Sequence, residues 1–226
     1  MRQEEFVAHY MPLLAGAYER WRSGIDKRAL IATVWDGYRA MVGNDGSKTN
    51  REAFWESMEG RLPLPRQEAE AVALDFYSGD FNRAKAATQP TPLAQLAVRR
   101  AKENGMAVYL ATNPVFPRCA TENRIRWAGL DAADFEIITT YEDCRFCKPN
   151  PSYFSDLLNR FSLDPEECLM VGNDVEEDLA AGQVGISTFL VTDTMENFKN
   201  LPIRSDYQGS LQALADFIGN GSSAWR

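Results

Sequence analysis

Asp174 and Asp178 stand four residues apart, just after a short apolar run, Cys168 to Val171, that Gly172 breaks. The run reads as a buried strand and Gly172 as its end. The pair stands just where a helix should begin, and residues four apart share one helix face. Such a pair at the carboxyl end of a strand suits a hard divalent cation, because Mg²⁺ takes one or two carboxylates and fills its remaining positions with water and phosphate oxygens. An acidic helix cap, favoured by the helix dipole, would use the same residues. Two further places carry chemistry. Thr112-Asn113-Pro114 closes a second apolar run, Met106 to Ala111. A hydroxyl and an amide there can donate to a phosphate oxygen, or they can simply end a strand in a turn. Lys148-Pro149-Asn150-Pro151 precedes a helix. Asn150 is a good cap and Pro151 a good first helical residue, which leaves Lys148 either as a point charge for phosphate or as a solvated surface lysine.

The elements around these residues fall into two patterns. From residue 1 to about 88 the chain is helical in period: Phe6, Tyr10, Leu13, Leu14, Ala17 and Trp21 form one stripe, and Leu30, Val34, Tyr38, Met41 and Val42 a second. Asn50 is placed to cap a third helix, and a fourth follows Pro65. From about residue 89 strands and helices alternate. Thr91 and Pro92 open a helix that Gly105 stops, and strands are expected over 106–111, 135–139, 168–171 and 187–191. Helices are expected over 117–127, 152–161, 176–184 and 211–218. Alternation of this kind gives a parallel sheet with helices on both faces, whose ligands bind beyond the carboxyl ends of the strands. Thr112, Asn173 and Asp174 all fall there. The division predicted is residues 1–88 as a helical domain and 89–226 as an α/β core.

Taken in order, strand-Thr112-Asn113, Lys148-Pro149 and strand-Gly172-Asn173-Asp174-x-x-x-Asp178 resemble the second, third and fourth motifs of the haloacid dehalogenase-like hydrolases. The resemblance covers about residues 90 to 195 and implies a Rossmann-like parallel sheet with a small helical cap domain. It implies that Thr112 and Asn113 bind the transferred phosphoryl group and that Lys148 neutralises charge beside it. It also implies that Asp174 ligates Mg²⁺, with Asp178 a ligand or a partner through water. A retained acidic pair resembles the Mg²⁺-dependent phosphatases of the family, which act on small phosphate esters through an aspartyl-phosphate.

The family's first motif, a strand ending in Asp-x-Asp-Gly-Thr that supplies the nucleophile, is missing from the 226 residues. In Val34-Trp35-Asp36-Gly37 the nucleophile position is Val34, in a helical stretch. In the family that first strand lies between the Thr112 and Asp174 strands, and interior strands of parallel sheets pair on both edges. Losing one removes roughly 1.5–3 kcal/mol per large apolar side chain it would bury, from a domain stable by about 5–15 kcal/mol. The expectation is therefore that Met1 is an internal start, the natural chain beginning roughly 10–20 residues earlier, enough for a strand and its loop. The rival is a non-catalytic protein that keeps the phosphate and Mg²⁺ pocket, with another segment or chain filling the gap.

Composition excludes several classes. The formal charge is −8, against a nucleic-acid footprint, which needs clustered basic surface. No apolar run is long enough to span a membrane and no signal-peptide pattern opens the chain, so a cytoplasmic protein is expected. His9 is the only histidine, which leaves no serine or cysteine triad to assemble. Cys144-Arg145-Phe146-Cys147 has no second cysteine or histidine pair at zinc spacing, and reads as two reduced thiols in the loop before Lys148.

Overall fold

Helices come first, as the periodicity predicts. The computed structural model describes residues 3–62 and 64–221, so Met1 lies outside the described residues. Helix α1 spans Gln3–Trp21, α2 Lys27–Val42, α3 Asn50–Ser57 and α4 Arg66–Ser78, and a 3₁₀ segment follows at Asp80–Ala87. Asp26 caps α2 by accepting from the Arg28 and Ala29 amides. At α3 the cap is Thr49 rather than Asn50. Thr49 and Glu52 satisfy each other's backbone amides in a capping box, which frees Asn50 for another use. Asn50 is fully buried, and its amide donates to the carbonyls of Pro114 and Phe146 and to the Cys147 sulfur.

The alternating part follows: α5 Pro92–Glu103, β1 Tyr109–Leu110, α6 Arg118–Trp127, β2 Ile137–Ile138, α7 Pro151–Phe161, β3 Leu169–Gly172, β4 Ser187–Val191, β5 Tyr207–Gly209 and α8 Leu211–Gly219. Thr91 caps α5 with Pro92 in its first turn, and Gly105 takes the left-handed φ of 71° that ends it. All strand pairs are parallel, so the α/β class holds. The sheet, however, is small and divided. β1 pairs with β2, and β3, β4 and β5 form a separate three-stranded sheet; no strand among the described residues joins the two. The strands expected at 106–111 and 135–139 shrink to two residues each, since each has one neighbour and its flanking residues find no second ladder. The helix expected at 176–184 is also absent. A turn covers 175–178 and a 3₁₀ helix Leu179–Val184, because the Asp178 carboxylate turns back on the loop before it.

The chain separates into two compact units. One gathers the chain up to Pro90 with Pro114–Trp127 and Thr139–Cys147. Its core is aromatic: Phe6, Tyr10, Trp55, Phe76 and Phe81 are buried, and Phe81 meets Phe6, Tyr10 and Tyr77 edge to face. Each such ring contributes roughly 1.5–3 kcal/mol on burial, and the ring pairs somewhat more. The other unit comprises Thr91–Asn113, Ala128–Ile138 and the chain from Lys148 onward. Its core sets Phe189 and Val191 of β4 against Leu214, Ala215 and Ile218 of α8, with Ala97 and Ala101 of α5. The alanines let the α5 backbone approach closely. No helix among the described residues is long and apolar enough to cross a membrane.

Candidate active site

Every site residue expected from the sequence belongs to the α/β unit. Thr112 and Asn113 follow β1, Lys148 starts the loop capped by Asn150 that enters α7, and Asn173, Asp174 and Asp178 lie in the turn after β3. The Lys148–Pro149 peptide is cis. Lys148 is no surface lysine. It is 4% exposed, and its Nζ lies 2.7 Å from Asp178 Oδ1. The aromatic rings of Tyr153 and Phe154 lie 5.7 and 5.8 Å from the ammonium, which adds cation–π attraction in a desolvated place.

Asp178 is held from both sides. Its Oδ2 accepts from the Asn173 and Asp174 amides, each at 2.9 Å. Gly172 makes this possible: a Cβ there would stand 2.0 Å from Asp178 Oδ2. Asp178 and Asp174 therefore meet through a tight turn and not along a helix face. Asp174 Oδ1 accepts from the Glu176 and Glu177 amides at 2.8 Å each. Residues 173–175 are also pinned from outside, by Glu196 N–H to Asn173 O, Val175 N–H to Glu196 O and the Asn173 amide to Thr194 O.

Asn113 ties the three segments together. Its Oδ1 accepts from the Lys148 amide at 3.2 Å, and its Nδ2 donates to Glu177 Oε1 at 2.8 Å. Tyr153 donates its hydroxyl to the Thr112 carbonyl at 2.9 Å, so the helix that flanks Lys148 also fixes the end of β1. Glu177 and Tyr153 are the residues that sequence reasoning gave no role. Glu177 is one of two glutamates between Asp174 and Asp178, and nothing in the sequence tells it from Glu176. Tyr153 left no signal beyond its helical spacing. Burial, and next the Asp174 charge, push the Glu177 carboxyl up to about 7, while Lys148 and the Asn113 hydrogen bond pull the other way.

The donor set suits Mg²⁺. Asp178 has both oxygens engaged, whereas among the described residues Asp174 Oδ2 accepts no hydrogen bond. Among the described residues no three His, Cys, Asp or Glu side chains close into a metal cage. A cation here would rest on one or two carboxylates and take its other oxygens from water and phosphate, which is how Mg²⁺ is usually held. Cys144 and Cys147 are buried in the helical unit and are in no disulfide.

The family model for haloacid dehalogenase-like hydrolases matches residues 4–185, and the chain belongs to that family. A bifunctional riboflavin kinase/FMN phosphatase of Arabidopsis thaliana is 26% identical over 160 residues, which are 70% of this chain and 40% of that protein. A pyrophosphatase PpaX of Bacillus cereus (strain G9842) is 32% identical over 100 residues, 44% of each chain. The chain thus spans about half the length of the curated relatives it matches or less. Among solved structures, a HAD phosphatase from Thermococcus onnurineus superposes with a TM-score of 0.58 at 19% identity, covering 97% of this chain and 93% of that one. That likeness speaks for the fold: a parallel α/β domain with many helices.

Proposed function

We propose that the protein acts on small phosphate esters with Mg²⁺, as the phosphatase relatives suggest, and that its 226 residues supply the phosphate- and metal-holding part of the site. The observation that carries this is the network Lys148–Asp178–Asn173/Asp174–Glu177–Asn113, which is closed within one compact unit. Lys148 is the charge that offsets a transferred phosphoryl group, and Thr112 its hydroxyl donor. Asn113 holds the Lys148 backbone and lies beside the phosphoryl position. Asp178 holds Lys148 in place through their ion pair, and Asp174 carries the cation. Bound Mg²⁺ would spread the negative charge that builds on the phosphoryl oxygens, where most catalysis of phosphoryl transfer lies.

The helical unit is proposed as the cap that selects the substrate. The acidic composition and the absence of disulfides fit a cytoplasmic setting. No Asp-x-Asp occurs anywhere in the 226 residues. A covalent aspartyl-phosphate needs such a nucleophile, so these residues alone are expected to bind phosphate and turn esters over slowly. The test is para-nitrophenyl phosphate hydrolysis with Mg²⁺ by the 226-residue protein, paired with equilibrium binding of Mg²⁺ and inorganic phosphate. Binding with little turnover supports the reading. Robust turnover that survives Asp174→Asn and Lys148→Met would overturn it, and absence of binding would overturn the site itself.

A further inference from the structure

Among the described residues Arg124 on α6 has no counter-charge. It is half-buried in the helical unit, its guanidinium carbon lies 5.4 Å from the Phe6 ring centroid and 5.3 Å from that of Phe116, and among the described residues it makes no ion pair or hydrogen bond. Phe6 and Phe116 meet edge to face and border the buried rings of Phe81 and Tyr10. Loss of hydration alone lowers the guanidinium's proton affinity, with no carboxylate opposing it.

Two ring contacts offset only part of the desolvation of a guanidinium. Five N–H donors in a half-buried place normally have acceptors, and the described residues offer these none, which suits an acceptor supplied by a ligand. The guanidinium groups of the other arginines of α6 are committed elsewhere: that of Arg118 to Asp143 and that of Arg126 to the Asn123 side chain. One fixed positive charge amid aromatic rings matches one negative charge, and the planar fork of arginine matches a carboxylate bidentately. A doubly charged phosphate would bring a second charge that nothing here neutralises.

We infer that Arg124, Phe6 and Phe116 form a binding site for a small organic monocarboxylate with a flat apolar body. All three residues belong to the helical unit, so the inference stands apart from the phosphatase reading.

The test uses benzoate as the probe, with benzamide as its neutral counterpart and inorganic phosphate as a competitor. Binding is read by titration calorimetry and by tryptophan fluorescence, to which Trp127, its ring 4.9 Å from that of Phe81 in the same core, contributes among five tryptophans. Saturable benzoate binding is expected, with benzamide and Arg124→Met each about 10- to 100-fold weaker and Arg124→Lys between. Saturating benzoate should raise the wild-type Tm by about 2–4 °C and leave that of Arg124→Met unmoved. Without ligand, Arg124→Met should melt at or above the wild-type temperature, because it removes an unpartnered charge. Equal benzoate affinity in wild type and Arg124→Met overturns the site. So does tight phosphate with no benzoate binding, and so does an Arg124→Met protein that melts several degrees lower while the wild type ignores benzoate.

Discussion

The helical unit and the α/β unit hold themselves together by different means. The first rests on rings: Phe76 and Phe81 are fully buried among other aromatics and meet each other edge to face. The second rests on thin sheets, with β3 half-exposed along its whole length, and on a buried ion pair roofed by backbone amides. Apolar packing tolerates compensation by neighbouring side chains. A buried charge pair does not, because removing either partner leaves the other uncompensated. Damage to the aromatic core of the first region should therefore appear as lost stability with phosphate and Mg²⁺ binding intact, and damage to the ion pair of the second as lost stability and lost phosphate binding together.

The largest effects set the two regions side by side. Asp178→Ala leaves the Lys148 ammonium buried without its partner and frees two amides, and should cost about 3–5 kcal/mol with loss of phosphate binding. Phe81→Ala should cost a similar amount, about 3–5 kcal/mol, yet leave Mg²⁺ and phosphate affinity unchanged at temperatures where the protein stays folded. Denaturant melts and phosphate titrations on both variants check the contrast. It breaks if Phe81→Ala abolishes phosphate binding in folded protein.

A smaller effect concerns Glu177. Its carboxyl is raised from 4.5 to about 7 in the folded protein. A raised acid binds its proton more tightly folded than unfolded, so its contribution is fully present below pH 4.5 and is lost as pH rises through 7. The metal-free protein should lose about 3 kcal/mol of stability across that window through this group. Glu177→Gln keeps an acceptor for Asn113 and should flatten that slope, as melting curves between pH 4.5 and 8 would show. The smallest effect is local to a helix end: Thr49→Ala removes the capping box of α3 and should cost about 1 kcal/mol without touching the α/β unit, measured by the same melts.

Much of this contrast was legible in the residues. The helices of the first unit follow from stripes such as Phe6, Tyr10 and Leu14, and the caps of α5 and α7 from Thr91-Pro92 and Asn150-Pro151. The order Thr112, Lys148, Asp174 also placed the candidate site in one unit. Periodicity failed where long-range bonds override local preference. The helix read at 176–184 gives way to a turn and a 3₁₀ helix as Asp178 is drawn to Lys148, thirty residues earlier in sequence. The strand read at 106–111 shortens to Tyr109–Leu110 because pairing depends on neighbours that no local pattern reveals. Asn50 looks like a cap and is instead a buried tether, since Thr49 with Glu52 serves the same helix end better.

The central claim is that Lys148 and Asp174 hold phosphate and Mg²⁺ as one site. The most direct measurement is calorimetric titration of inorganic phosphate into the 226-residue protein with and without saturating Mg²⁺, repeated for Asp174→Asn and Lys148→Met, with circular dichroism confirming that each is folded. Phosphate affinity should rise with Mg²⁺ in the wild type, lose that dependence in Asp174→Asn, and fall about tenfold or more in Lys148→Met. Phosphate affinity indifferent to Mg²⁺ and unchanged in both folded variants would contradict it.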